Sequence, residues 1–183
     1  TENINVNLNI ELFDIYNNIE KNFTLKIKKK CKGCIGMGMS LINKEFITCD
    51  RCIGLKYMDY EKEFKIYSGE GRQIFFKQAH EEYGKKNGNI VVNIIPKTNN
   101  KYKIVNRCDL ILNINHVDNH QFQHLDNKSY KLPDLIHSST SNKIYIVPNM
   151  GLYDHNMERG KLFIEFNDKT YDEIRLEEIN LKN

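Results

Sequence analysis

The sequence predicts an all-β, β-rich protein made of two tandem small β-sandwich subdomains, with a cysteine-bearing β-hairpin inserted in the first. Three observations predict this fold class. Apolar and polar residues alternate over several segments, turn residues (Gly, Asn and Pro) separate these segments, and two Cys-x-x-Cys pairs interrupt the first block. We expect the subdomains at residues 1–97 and 98–170, followed by a charged tail at 171–183.

Period-two alternation begins near the start of the chain. Residues 3–10 read NINVNLNI, and residues 11–16 then break the alternation, which predicts a strand followed by a short helical turn. Further strands of the first block are predicted at residues 23–28, 64–67, 72–76 and 89–95. Pro96 should end the last of them, because proline cannot donate to a sheet ladder.

The second block repeats this pattern less clearly. Residues 98–101, TNNK, predict a junction, and Pro148 with the following turn residues separates two later strands. The strands of this block are predicted at residues 110–114, 143–147 and 161–166. The charged tail at 171–183 predicts either a helix or frayed chain.

Composition narrows the functional classes. Of the 183 residues, 40% are hydrophobic and 28% are charged, and the formal net charge is +3, so no strong attraction to nucleic acid is implied. No apolar stretch approaches the roughly 20 residues that span a bilayer, and no signal peptide opens the chain. We expect no membrane span and no specific nucleic-acid partner. No Ser-His-Asp arrangement, phosphate loop or evident carboxylate pair predicts an enzyme.

Four of the five cysteines form two Cys-x-x-Cys pairs, Cys31/Cys34 and Cys49/Cys52, separated by residues 35–48. Two such pairs match the four-cysteine template for structural zinc, in which each pair turns both sulfurs toward one ion. We therefore predict one zinc ion, held by a zinc-binding β-hairpin at residues 31–54. Its binding free energy would help to fold a segment with few core residues. The tight backbone around the sulfurs is permitted by nearby glycines, Gly33, Gly36 and Gly54.

Redox chemistry or disulfide formation is the alternative for these cysteines. A redox Cys-x-x-Cys is usually single and opens a helix after a strand, whereas here two pairs flank a hairpin, which favours zinc. The odd number of cysteines argues against a complete disulfide framework, and we expect thiols that are kept reduced by the compartment or protected by zinc. The cytoplasm is favoured as the compartment. Cys108 is expected to be a half-buried small residue.

Three histidines are spaced four residues apart at His116, His120 and His124. On a helix this spacing would align them as candidate ligands of a second metal ion. Their segment has no helical apolar stripe, so we expect loop or surface histidines instead.

Several of these segments together resemble the C-terminal client-binding region of the zinc-containing class of DnaJ-type cochaperones. Residues 6–18 resemble that family's opening strand and its Leu-Tyr-x-Gly turn. Residues 31–38, CKGCIGMG, are similar to its repeated C-x-x-C-x-G-x-G unit, and residues 49–54 are similar to a less complete unit. Residues 88–92 resemble the family's Gly-Asp-aliphatic strand, and residues 109–110 resemble the start of its second sandwich. Residues 149–151 and 160–163 resemble its closing Gly-Met-Pro and Gly-Asp-Leu elements.

The chain departs from the family in several ways. The family usually has four C-x-x-C-x-G-x-G units and two zinc ions, with one zinc shared by the outer units and the other by the inner units. Only the outer units are matched here, so the resemblance implies one zinc and no distal hairpin, and it puts client transfer by the distal zinc in doubt. The Leu-x-x-Ala-Leu-x-Gly element of the second sandwich and the J domain are not recognisable in this segment. The C-terminal dimerisation helices are weak or missing.

The resemblance implies a function in protein folding. In the family, an unfolded or non-native polypeptide adds as a strand to the first sandwich, places an apolar side chain in a pocket, and passes to a DnaK-type heat-shock chaperone. A homodimer would need the dimerisation elements that are weak or missing here. The same pocket residues can alternatively just fill the core. By match to the family, the client-binding pocket is lined by Ile4, Phe23, Leu25, Phe64 and Val92.

A zinc-ribbon adaptor that binds nucleic acid or protein is the alternative function. The modest net charge argues against it, and strongly salt-dependent binding to RNA or DNA would favour it. It would use the basic residues beside the two Cys-x-x-Cys turns, which we call the knuckles. These basic residues are Lys26, Lys28, Lys29, Lys30 and Lys32.

Overall fold

The computed structural model describes residues 2–114, 121–132, 143–165, 170–173 and 177–179. Within these ranges the protein is all-β, as predicted, and the helix α1 (Leu12–Tyr16) is little more than one turn. No helix in the described ranges is long and apolar enough to cross a membrane.

The strands fall into two groups along the chain. The earlier ones are β1 (Ile4–Glu11), β2 (Glu20–Lys30), β3 (Met39–Ile42), β4 (Glu45–Thr48), β5 (Tyr57–Tyr67), β6 (Gln73–His80) and β7 (Gly88–Lys97). The later ones are β8 (Tyr102–Val105), β9 (Asp109–Asn113), β10 (Gln121–Gln123), β11 (Ser129–Lys131), β12 (Lys143–Val147), β13 (Leu162–Glu165), β14 (Thr170–Glu173) and β15 (Glu177–Ile179).

These strands form several small sheets. The earlier strands make a three-stranded sheet in the order β1-β7-β6, a β2-β5 pair and a β3-β4 hairpin. The later strands make a five-stranded sheet in the order β14-β12-β13-β9-β8 and a three-stranded sheet in the order β10-β11-β15. Most pairs are antiparallel, but β13 runs parallel to β9 and β14 runs parallel to β12.

The chain forms two compact units. The first comprises the described residues of Thr1–Leu8, Glu20–Ile66 and Gln73–Asn93, and the second those of Asn9–Ile19, Tyr67–Arg72 and Ile94–Asn183. The first unit therefore contains both Cys-x-x-Cys pairs. The tandem sandwich arrangement and its boundaries stay predictions.

Each unit has its own buried apolar residues. In the first unit, the central strand β7 contributes Ile90 and Val92, which are fully buried. In the second, the parallel pair of β13 and β9 places Leu162 opposite Leu110 and Ile164 opposite Leu112, and all four side chains are fully buried. Burial of this kind is the main source of stability for a sheet of short strands.

Most of the predicted elements are confirmed, with two corrections. Strand β7 continues through Pro96 to Lys97, beside its other neighbour β1, whose Glu11 forms an ion pair with Lys97 at 3.3 Å. Pro96 lies beyond the last pair with β6, Gln73↔Asn93, and so interrupts no bond of that ladder. The charged tail was expected to be helical or frayed. Its described residues instead form β14 and β15, which pair with strands distant in sequence.

Candidate metal centre and apolar groove

The four paired cysteines converge at one point of the first unit. Cys31, Cys34, Cys49 and Cys52 are all buried, and their Sγ atoms lie within 4.8 Å of one another. The shortest contacts cross between the pairs, at 3.9 Å from Cys31 to Cys49 and 3.7 Å from Cys34 to Cys52. Metal–sulfur bonds of about 2.3 Å in a tetrahedral site place the sulfurs about 3.8 Å apart, so the cluster is close to the size that one ion requires.

The two Cys-x-x-Cys pairs have the same local backbone conformation. In the first knuckle the N–H of Met37 donates to the carbonyl of Cys34 at 3.0 Å, and in the second the N–H of Leu55 donates to the carbonyl of Cys52 at 2.9 Å. An isoleucine and then a glycine follow each pair at positive φ. These residues are Ile35 (56°) and Gly36 (79°), then Ile53 (52°) and Gly54 (79°). The sequence repeat is thus also a structural repeat.

The β3-β4 hairpin connects the two knuckles and is attached to the sulfur cluster. Asn43 and Lys44 form its two-residue turn with φ values of 50° and 64°, as a type I′ turn requires. At its base the N–H of Cys49 donates to the carbonyl of Gly38 at 3.0 Å. The N–H of Gly38 donates to Sγ of Cys34 at 3.1 Å, so the hairpin backbone supports a candidate ligand directly.

The four thiols differ in how easily they lose a proton. Burial opposes ionisation of Cys34, but the hydrogen bond from the N–H of Gly38 and those from the neighbouring thiols lower its pKa overall. Burial raises the pKa of Cys52, although a backbone hydrogen bond from Lys56 acts in the opposite direction. One thiolate therefore forms readily, while further deprotonation of the cluster needs a cation to balance the accumulating negative charge.

The arrangement suits a closed metal site with a structural role. Four buried cysteine ligands can hold one metal ion and leave no open coordination position for a substrate. All five cysteines are free thiols, so no disulfide forms in the structure. Cys108 is half-buried, as predicted, and its thiol donates to the carbonyl of Tyr153 at 3.4 Å.

Three phenylalanines form a second feature of the first unit. The rings of Phe23 and Phe64 stack with centroids 5.3 Å apart, and Phe76 meets Phe64 edge-on at 4.8 Å. Strands β2 and β6 contact one another, and their neighbouring apolar residues Leu25 and Ile74 are only half-buried. We call this surface, formed by Phe23, Leu25, Phe64, Ile74 and Phe76, the apolar groove.

The predicted pocket residues occupy different environments. Phe23 and Phe64 are in contact, Leu25 follows Phe23 on the same face of β2, and Ile4 is half-buried on β1. Val92 is fully buried opposite Ile74 of β6. Their joint role as a client pocket stays a prediction.

Sequence reasoning missed the contribution of β6 to this surface. Ile74 and Phe76 lie opposite Val92 and Ile90 in the β6-β7 register, and so share one face of that sheet. The alternation in residues 73–76 was the available signal, since it places Ile74 and Phe76 on the same side of the strand.

The second unit contains a polar cluster that the sequence did not predict. His124 is buried, its Nε2 lies 2.9 Å from the carbonyl of Met150, and its Nδ1 lies 2.9 Å from the hydroxyl of Tyr102. Because a carbonyl can only accept, we infer that Nε2 carries the proton and Nδ1 accepts from Tyr102. Burial lowers the pKa of His124 to about 4, so the ring is neutral at pH 7. His116 and His120 lie outside the described residues.

Arg159 completes this cluster. Its guanidinium lies 3.7 Å from the ring centre of Tyr16 and 4.1 Å from that of Tyr153. It donates to the carbonyl of Gly151 at 3.1 Å and to that of Tyr16 at 3.0 Å. Tyr16 also packs edge-on against His124, with centroids 4.8 Å apart. These contacts describe a structural cluster in which His124 and Arg159 both have hydrogen-bond partners.

No protein-family model matches the chain, and a search of curated proteins finds no significant match. The resemblance to DnaJ-type cochaperones therefore continues as a prediction based on the sequence motifs alone.

Proposed function

We propose that this chain binds segments of unfolded or non-native polypeptides along the apolar groove and passes them to a DnaK-type chaperone. One observation carries the proposal. The apolar face shared by β2 and β6 is only half-buried at Phe23, Leu25, Ile74 and Phe76, whereas a face that served only as core would be enclosed. An accessible row of aromatic and aliphatic side chains can hold large apolar residues of a client.

The neighbouring strands supply a way to bind the client backbone. Strand β6 ends its three-stranded sheet, so within the described residues one of its edges has no strand partner. An extended polypeptide can add to such an edge through backbone hydrogen bonds, which depend little on sequence. The groove would then provide the preference for large apolar side chains.

We further propose that the metal at the four cysteines is zinc and that its role is structural. Four thiolates in a tetrahedral arrangement are the ligands that zinc commonly has in structural sites. Metal analysis of the purified chain should find one zinc ion per chain and no reactive thiol among Cys31, Cys34, Cys49 and Cys52. A reversible disulfide without zinc would contradict this assignment and would support the redox alternative.

The client-binding proposal can be tested with two neighbouring substitutions on β2. Leu25→Asp places a charge in the groove, whereas Thr24→Asp places the same charge on the exposed opposite face of the strand. We expect Leu25→Asp to reduce suppression of aggregation of a chemically denatured client about ten-fold, because a buried apolar contact is worth about 1.5–3 kcal/mol. Light scattering measures the effect.

Zinc content and the far-UV circular dichroism spectrum of both variants should match the wild type. Equal suppression by Leu25→Asp and wild type would refute the groove as the client site. The adaptor alternative makes a different prediction, because it requires binding to RNA or DNA that weakens steeply as salt increases.

A further inference from the structure

The cysteine segment, residues 31–56, exposes most of its large apolar side chains. Phe46 is 72% exposed and Leu41 is 63% exposed, although both are large apolar residues on paired strands. A contiguous exposed apolar patch usually marks an interaction surface. The six most exposed large apolar side chains of the segment are Ile35, Met37, Leu41, Phe46, Ile53 and Leu55.

The two faces of the β3-β4 hairpin differ in charge. Leu41 pairs with Phe46 and Met39 pairs with Thr48, so these four side chains share a face without any charged group. Glu45 pairs with Ile42 and therefore points to the opposite face. We call the uncharged face, Met39, Leu41 and Phe46, the hairpin face.

Basic side chains surround the base of this hairpin. The aliphatic stems of Arg51, Lys30 and Lys56 pack closely over three glycines next to the cysteines. A Cβ added to these glycines would lie 2.7 Å from Arg51 at Gly33, 3.1 Å from Lys30 at Gly36 and 3.0 Å from Lys56 at Gly38. The charged ends of long basic side chains can remain in water while their stems cover apolar or backbone surface. The Nζ of Lys56 also donates to the hydroxyl of Tyr83 at 3.2 Å and lies 4.4 Å from its ring centre. We call Lys30, Arg51 and Lys56 the basic collar.

An open cavity continues the positive charge beside the collar. Its volume is about 530 Å³, and Lys30 belongs both to the cavity wall and to the collar. In the described part of the chain, Lys30, Lys32 and Lys62 form no ion pair, whereas Lys29 is paired with Glu81 at 3.6 Å. Glu61 also lines the cavity, and Asp50 lies next to Arg51 in sequence. The cavity is lined by Lys29, Lys30, Lys32, Lys62, Tyr60 and Glu81, among others.

We propose that the hairpin face, the basic collar and the lysine cavity together bind the surface of an anionic phospholipid membrane. A lipid surface presents an apolar layer beneath a layer of phosphates. The hairpin face matches the first layer, and the collar and cavity match the second. Charge complementarity favours an anionic surface over a purely apolar partner, which would offer no negative charge to the lysines. Attachment is peripheral. In the part of the chain that the structure describes, β3 and β4 pair only with each other, and their outer edges cannot enter the hydrocarbon core without losing hydrogen bonds to water.

Vesicle flotation of the full chain loaded with zinc tests the proposal. The wild type should float with vesicles in which about one quarter of the phosphatidylcholine is replaced by phosphatidylserine, and not with pure phosphatidylcholine vesicles. Phe46→Ser should lower the partition coefficient about ten-fold, because it removes one buried apolar side chain from the bound state. The matched control Phe75→Ser changes a residue that is 51% exposed on β6, and it should leave partitioning unchanged.

A second pair of variants tests the charge component. Lys32→Glu should weaken partitioning several-fold, whereas Lys77→Glu, on an exposed position of β6, should have a much smaller effect. Excess inorganic phosphate at constant ionic strength should not release the wild type, because binding also needs the hairpin face. Zinc content and circular dichroism of all variants must equal those of the wild type, and Leu41→Ser replaces Phe46→Ser if the latter fails this requirement.

Three results would overturn the proposal. The first is absence of flotation with anionic vesicles, and the second is equal loss of flotation in Phe46→Ser and Phe75→Ser. The third is a wild type that does not bind vesicles, together with a Phe46→Ser variant that loses self-association or capture of a denatured polypeptide. This result would assign the hairpin face to a protein partner. Because the apolar groove lies outside this set of substitutions, failure here leaves the client-binding proposal to its own test.

Discussion

The cysteine segment and the cluster around His124 differ in the groups that they bury. In the cysteine segment the buried side chains are those of the four cysteines, and large apolar side chains such as Phe46 face solvent. In the histidine cluster, which we define as Tyr16, Tyr102, His124, Met150 and Arg159, both ring nitrogens of the buried His124 lie within hydrogen-bond distance of a neighbour, and Arg159 donates to the carbonyl of Tyr16. The first arrangement can hold an added metal ion, whereas the second is formed by hydrogen bonds and ring contacts within the chain.

The difference shows where the stabilising free energy of each region comes from. Among the described residues, Met58 is the one partly buried apolar neighbour packed against the sulfur cluster, so burial contributes little there. Ionised thiolates without a cation would also repel one another. In the histidine cluster, aromatic rings surround the imidazole, and Tyr16 and Phe122 meet it edge-on at 4.8 and 6.2 Å. We therefore expect the two regions to respond to different perturbations.

Metal removal should cause the largest loss of stability, and only in the cysteine segment. Chelation, or Cys49→Ser, removes a binding free energy on the order of 10 kcal/mol for a structural four-ligand site, and we expect the cysteine segment to unfold. Hydrogen exchange provides the measurement. The amides of Met37 and Leu55 should lose protection, while the amide of Leu110, which donates to Lys161 at 2.9 Å in the second unit, should keep it.

The matched control for metal removal is Cys108→Ser, which changes a cysteine outside the sulfur cluster. It should leave metal content and the exchange of Met37 and Leu55 unchanged. Persistent protection of these two amides after complete removal of the metal would show that packing alone holds the cysteine segment, and the contrast between the two regions would fail.

Gly151→Ala should cause the next largest loss of stability, and it changes a residue next to the histidine cluster. A Cβ at this position would lie 2.5 Å from the carbonyl oxygen of Cys108 and 2.6 Å from the backbone of Gly160, neither of which can move aside easily. Gly151 also follows Met150, the acceptor of His124. We expect the free energy of unfolding, measured with urea, to fall by about 3–5 kcal/mol.

Gly84→Ala is the control for this substitution. Gly84 has a φ of 72° and no atom within 4 Å of its added Cβ, so only backbone strain of about 1–2 kcal/mol is expected. Equal destabilisation by the two substitutions would mean that backbone conformation, and not close packing at Gly151, determines the result.

The two regions also differ in how far the sequence predicted them. The cysteine site depends on spacing within a short segment, so two Cys-x-x-Cys pairs were enough to predict which four residues converge. The same holds for β1 and α1, where the period of the apolar residues changes within residues 3–16. Local patterns carried these predictions, because the partners are neighbours in the chain.

The histidine cluster depends on long-range contacts, which no local pattern contains. His124 lies in the loop between β10 and β11, as the sequence predicts, but it is buried because Tyr16 and Tyr102 come from distant segments. Arg159 reaches the carbonyl of Tyr16 in the same way. The groove was predicted only in part, because the contribution of β6 follows from its register with β7.

The pH dependence of stability should give the smallest of the three effects and tests whether His124 is neutral when folded. Its pKa is about 4 in the folded state, below its ordinary value of 6.5, because burial disfavours the charged ring. Between these values the unfolded chain binds a proton that the folded chain does not, so stability falls as pH decreases from 6.5 to 4. The expected loss is about 2–4 kcal/mol, and it is complete near the folded pKa.

Urea unfolding of the wild type and of His124→Gln across this pH range provides the measurement. The variant is less stable at pH 7, but it should lack the part of the pH dependence that belongs to His124. Metal release from the cysteines at low pH affects both proteins and therefore cancels in the difference between them. His155→Gln, at an exposed histidine, should retain the wild-type slope. If the free energy of unfolding changes with pH equally in wild type and His124→Gln, the folded protein accommodates a charged imidazole. The hydrogen bonds of His124 would then not be those of a neutral ring.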